Sequence, residues 1–259
     1  MNRRRGIYLL PNLFTTGSLF AGFYSIVAAM NARFELAAIA IFIAMVLDGM
    51  DGRIARLTNT QSDFGMQYDS LSDMVSFGLA PSLIMYKWAL FSMGKLGWLA
   101  AFVYAASAAL RLARFNTQAA SLDKRFFQGL PSPAAAAVIA GLIWLGTDYG
   151  LSDGTTILVI CFPITILVGI LMVSNIRYHS FKQFDLKGRV PFMSVLIVMT
   201  IFVLIAVQPP LVLFTITTVY AVTGPVFTLV MLRKHREARK VSESPESTDP
   251  SESSDSSGP

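Results

Sequence analysis

Residues 48–73 read DGMDGRIARLTNTQSDFGMQYDSLSD, and they follow directly on the apolar run LAAIAIFIAMVL at 36–47. Five aspartates and two arginines therefore stand where a membrane-crossing pattern is still under way. Asp48 and Asp51 are three apart and share a helix face, which Gly52, Ala55 and Arg56 continue. On the next helical segment Gly65, Asp69 and Asp73 stack at i, i+4 and i+8. Two helices joined by so short a connection are antiparallel neighbours, so the spacing predicts that four carboxylates converge on one cavity. Gly52 and Gly65 carry no side chain and leave room for a ligand to approach the backbone. Asp63 matches neither stack and is expected in the first turn of its helix, at the SDFG turn.

The rest of the chain is oil. Of 259 residues, 54% are hydrophobic and 14% charged, with a mean hydropathy of +0.56, against about 25% charged for an ordinary soluble domain. The expected class is an all-α integral membrane protein. A span needs about 20 mostly apolar residues, which places helices near 12–31, 34–58, 62–91, 95–117, 131–148, 154–174, 191–207 and 211–232, eight spans in all. The start resembles a signal peptide, but Pro11, Asn12, Thr15 and Thr16 interrupt its apolar part, so a retained first helix is expected. No lipidation motif is apparent at either end. The last residues, VSESPESTDPSESSDSSGP at 241–259, form an acidic Ser-rich tail that cannot bury a core and is expected to be disordered.

Charge distribution orients the chain. The RRR at 3–5, the stretch from Arg111 to Arg125, the loop with Arg177, Lys182, Lys187 and Arg189, and the RKHREARK run at 233–240 alternate with loops nearly free of Lys and Arg. The positive-inside tendency puts both termini and the charged stretch on the cytoplasmic side of an inner or plasma membrane. The net charge of +5 is spread in short clusters that suit an anionic membrane surface rather than nucleic acid. The single cysteine, Cys161, lies in an apolar run and is expected to be a core thiol. His179 and His235 show no metal-ligand spacing and are read as solvated or lipid-facing.

Four carboxylates at low dielectric repel one another, and a divalent cation resolves the conflict. Oxygen-only ligation favours Mg²⁺, Mn²⁺ or Ca²⁺ over Zn²⁺. Mg²⁺ held by carboxylates commonly completes its shell with phosphate oxygens, and two ions about 3.5–4 Å apart would clamp a diphosphate. The reading from another class is an ion-coupled transporter, where intramembrane acids are also common. Its mark would be broken helices in an inverted repeat, and no such symmetry is visible.

The residues from Asp48 to Asp73 fit DxxDGxxARx₈GxxxDxxxD at every fixed position, and on that string the chain resembles the CDP-alcohol phosphatidyltransferase family. PNLFTTGSLFAG at 11–22, ALRLARFNT at 109–117 and FQGLPSPAAAA at 127–137 look like its membrane-embedded phosphatidylserine synthases. The resemblance implies a six-helix catalytic core over 1–176, two added helices with a basic end over 177–240, and a homodimer. It implies transfer of the phosphatidyl group of CDP-diacylglycerol to the hydroxyl of L-serine, with release of CMP. Sister enzymes use choline or a polyol phosphate. Carried over by position, the resemblance gives Asp48, Asp51, Asp69 and Asp73 as the metal-binding set, for two Mg²⁺ or Mn²⁺ ions, with Asp73 also the general base. Gly52, Arg56 and Gly65 would line the cytidine diphosphate pocket, with Asn12 and Thr15 helping to hold the nucleotide or phosphates. Arg111 and Arg114 are the candidates for the serine carboxylate, because arginine's planar fork suits a carboxylate. Arg125, Arg177 and Lys187 are read as headgroup or phosphate contacts.

Overall fold

The structure is a computed structural model and describes residues 9–58, 60, 62–118, 126–151, 154–179 and 192–242. The basic start, Arg125, Lys187 and the tail from residue 243 lie outside the described residues, as do the side chains of Arg177, His179 and His235. The described chain is helical apart from one short antiparallel pairing. Its helices are α1 (Leu9–Met30), α2 (Phe34–Leu57), α3 (Asp63–Asp73), α4 (Ala80–Trp88) and α5 (Lys95–Gln118). They continue with α6 (Ser132–Asp148), α7 (Leu158–Val173), α8 (Phe192–Val207) and α9 (Pro209–Ser242). Strands β1 (Phe126–Gln128) and β2 (Arg177–His179) pair with Phe127 opposite Tyr178.

Among the described residues, four stretches are long and apolar enough to cross a membrane: Pro11–Met30, Lys95–Thr117, Thr155–Val173 and Pro209–Thr228. Two expectations change in detail. The helix expected over 62–91 is interrupted by a π-helical turn at Met74–Leu79 and gives way to a 3₁₀ turn at Leu90–Met93. The last helix runs on to Ser242 rather than ending near 232, because Arg, Lys, Glu and Ala in the basic run are good helix formers.

Helices α1 and α2 form a tight antiparallel hairpin. The amide of Arg33 donates to Ala28 O at 2.9 Å, and Ala32 takes a left-handed φ of 56°, which closes the end of α1 in three residues. The two helices approach closely because buried alanines face each other: Ala21, Ala28 and Ala29 on α1, with Ala37, Ala38 and Ala44 on α2. Ser18 Oγ crosses between them to Ala44 O at 3.0 Å. Small residues and hydroxyl bonds are how helices associate where apolar side chains gain nothing by leaving lipid. Helix α6 packs against α2 and α9, while α5 packs against α7 and the π turn. Cys161 on α7 is a buried free thiol in this core.

Candidate active site

The charged stretch folds into two facing helix ends. Asp48 and Asp51 sit in the last turns of α2, and Asp69 and Asp73 in the last turns of α3. The start of α3 is set by Ser62, whose side chain accepts from Gly65 N at 3.0 Å, and Asp63 lies in the first turn as expected. Because the helices run antiparallel, the earlier residue of one meets the later residue of the other. Asp48 lies within hydrogen-bonding reach of Asp73, and Asp51 of Asp69. Ligand oxygens of Asp48, Asp51 and Asp69 all lie within 4.8 Å of one another.

This arrangement fits a hard divalent cation. The donors are oxygens only, and Asp69 Oδ1 and Asp73 Oδ1 are buried with no hydrogen-bond partner among the described residues. Carboxylates gathered this closely, one of them (Asp51) only 5% exposed, need a counter-charge to remain together as anions. Among the described residues, two arginines act on the cluster. Arg56 interacts electrostatically with Asp51 from the same helix, and Arg111 with Asp73 from α5.

The remaining residues singled out in the sequence fall around this cluster. The Thr15 hydroxyl donates to Asp51 Oδ2 at 2.7 Å. A Cβ added at Gly65 would lie 3.6 Å from Asn12 Oδ1, so the two residues are neighbours where α1 and α3 begin. Among the described residues, and the helix's own backbone aside, only Arg56 Nη1, at 3.7 Å, comes within 4 Å of a Cβ added at Gly52. Arg111 donates from Nη1 to Ser132 Oγ at 2.8 Å, and its buried Nε has no partner among the described residues. Arg114 donates from Nη2 to Gln128 Oε1 at 2.6 Å and Asn175 Oδ1 at 2.7 Å, tying α5 to β1 and to the chain beyond α7.

Several contributors escape the sequence reading. Ser132 receives Arg111 at the first turn of α6. Ser72 and Ser76 donate to Thr15 O at 3.1 Å and Ser18 O at 3.0 Å, and so hold the α3 strip against α1. A signal was present in their spacing, since two serines four apart, offset from the aspartate stack, are suited to bonding a neighbouring helix. Thr16 Oγ1 and Tyr68 Oη share a hydrogen bond of 2.9 Å at the rim.

Comparison with known proteins finds relatives of this chain. The family model for CDP-alcohol phosphatidyltransferase matches residues 8–171. A protein of Helicobacter pylori (strain ATCC 700392 / 26695) named CDP-diacylglycerol–serine O-phosphatidyltransferase is 38% identical over 228 residues, covering 88% of this chain and 94% of the relative. Relatives of the same name occur in Bacillus subtilis (strain 168), 33% identical over 174 residues with 67% and 92% covered, and in Mycobacterium bovis (strain ATCC BAA-935 / AF2122/97), 38% identical over 181 residues with 67% and 62% covered. With the matched region spanning α1 to most of α7, and the aspartates of its signature meeting on α2 and α3, the chain belongs to the CDP-alcohol phosphatidyltransferase family.

Proposed function

We propose that this protein is an enzyme that transfers the phosphatidyl group of CDP-diacylglycerol to the hydroxyl of L-serine, giving phosphatidylserine and CMP. The observation that carries the reading is the pairing of Asp48 with Asp73 and Asp51 with Asp69 at one end of α2 and α3, in a chain whose relatives are named for this reaction. Asp48, Asp51 and Asp69, with Asp73 beside them, would hold Mg²⁺ or Mn²⁺, two ions in the full site, and would so supply counter-charge for the diphosphate and departing CMP.

The chain's own groups do the rest. Asp73 takes the proton of the serine hydroxyl as its oxygen bonds to the phosphorus that carries the diacylglycerol, and the bond from that phosphorus to CMP breaks. Thr15 holds the Asp51 carboxylate in one orientation through its 2.7 Å bond. Arg111 stands on the acceptor side, next to Asp73, and its unpartnered Nε offers a charge-assisted bond to the serine carboxylate. Gly52, Gly65, Asn12 and Arg56 flank the nucleotide.

The membrane arrangement belongs to the same proposal. Eight helical spans, with both termini and the aspartate cluster cytoplasmic, place the site where water-soluble serine and CMP exchange, while the acyl chains stay in lipid. The core occupies 1–176, and the last two helices and basic end occupy 177–240. The enzyme works as a homodimer, as its family resemblance implies. The test is purified protein with CDP-diacylglycerol, a divalent metal and a panel of acceptors, following CMP release. Release with serine is expected; release with a polyol phosphate and not serine overturns the acceptor, and no release with any acceptor overturns the transferase.

A further inference from the structure

Helix α3 passes into α4 through the π-helical turn at Met74–Leu79, in which the Ala80 amide donates to Val75 O, five residues back. Two residues past the turn the helix lacks a donor. Pro81 has no N–H, so the carbonyl four positions before it, that of Phe77, loses its ordinary α-helical donor, and the proline ring pushes that carbonyl aside. A donor arrives from another helix: Tyr104 Oη on α5 donates to Phe77 O at 3.1 Å. Both residues are fully buried, at 0% exposure, so no water replaces that bond.

The turn has no slack on its other sides. A Cβ at Gly22 on α1 would lie 2.6 Å from Ser76 Cα, and a Cβ at Gly78 would lie 3.2 Å from the Ala108 Cβ on α5. A π turn carries one residue more than the α-helical turn it replaces, which rotates one side against the other by about 100°. It begins at Met74, the residue after Asp73. With α4 locked in the core through Ile84, Met85 and Trp88, a change in the winding reaches Asp73, the residue next to the turn. Tyr104 and Arg111, seven apart, lie on one face of α5, and Arg111 meets Asp73 from there.

We propose that Tyr104 is a positioning residue for phosphatidyl transfer: by supplying the hydrogen bond that Pro81 cannot, its hydroxyl holds the π turn that aims the Asp73 carboxylate at the acceptor. The proposal rests on the function argued above, with Asp73 as base. Its test is a cycle of Tyr104→Phe and Pro81→Ala, with kcat and both KM values measured by CMP release in detergent. Tyr104→Phe removes only the hydroxyl and is expected to lower kcat roughly ten- to hundredfold, the usual consequence of a small misplacement, with KM for CDP-diacylglycerol unchanged. Pro81→Ala restores an amide to the helix, so in the Pro81→Ala background the same Tyr104→Phe change is expected to lower kcat by no more than about twofold.

That background also serves as the second variant, since its helix bonding is intact even where Tyr104→Phe alone does not fold. A kcat loss of equal size in both backgrounds overturns the proposal, because the hydroxyl would then act elsewhere than on Phe77. An unchanged kcat in Tyr104→Phe overturns it too, as does a loss expressed wholly in KM for CDP-diacylglycerol. The unaltered enzyme is the control: if it releases no CMP with serine, the function proposed above fails, whereas an intact control beside an unaltered kcat in Tyr104→Phe counts against this inference alone.

Discussion

Thr15→Val tests how the carboxylate cluster is kept in order. Thr15 is 4% exposed and Asp51 5%, and the 2.7 Å bond between them joins a hydroxyl to a charged acceptor. The same hydroxyl lies 3.1 Å from Pro11 O, but it has one proton, and the shorter bond to the carboxylate holds it. Valine keeps the shape and removes the donor. A hydrogen bond to a charged group contributes about 1.5–3 kcal/mol, which corresponds to roughly 10- to 100-fold in an equilibrium constant. Loss of a group that orients a metal ligand typically costs a similar factor in metal affinity. Thr15→Val is therefore expected to raise the Mg²⁺ or Mn²⁺ concentration for half-maximal CMP release by about one to two orders of magnitude, with much of the rate recovered at saturating metal. Thr16→Val is the control, since Thr16 is exposed and, among the described residues, bonds only the Tyr68 hydroxyl and Asn12 O; its metal dependence should stay at the wild-type value. If Thr15→Val leaves the metal titration unmoved and instead raises KM for CDP-diacylglycerol at every metal concentration, Thr15 holds the nucleotide and the reasoning is refuted.

Asp73→Asn should abolish turnover while CDP-diacylglycerol still binds in the presence of metal, as measured by nucleotide-lipid binding; near-wild-type turnover would remove Asp73 as the base. Arg111→Ala should raise KM for serine by about one to two orders of magnitude, from one lost charge-assisted bond of about 1.5–3 kcal/mol, and Arg111→Lys should recover only part of it because an ammonium lacks the fork. An unmoved serine KM would place the carboxylate elsewhere. Gly22→Ala puts a methyl 2.6 Å from Ser76 Cα and should cost about 1–3 kcal/mol of stability through overpacking, read as a lower melting temperature in detergent; an unchanged melt would mean that α1 and the π turn can part.

Much of this site was already present in the order of residues. The aspartates at 48, 51, 69 and 73 lie three or four apart on consecutive helices, and helical geometry puts such residues on common faces whatever surrounds them. Apolar runs of nearly membrane length marked the helices for the same local reason, and most of their bounds fall within a few residues of those in the structure. What crosses between helices was not legible. The pairing of Thr15 with Asp51, 36 positions away, and of Ser72 with Thr15, 57 away, depends on how α1 rests on α2 and α3. That packing follows from facing alanines, which look alike in any order. Arg111 and Arg114 read equally well as carboxylate receptors because they are three apart on one helix; tertiary structure separates them, directing one to Asp73 and Ser132 and the other to Gln128 and Asn175. The π turn lies between these cases. Pro81 announces in sequence that the helix will lack a bond at Phe77, but only the fold determines that Tyr104, 27 residues away from that carbonyl, supplies a donor to it.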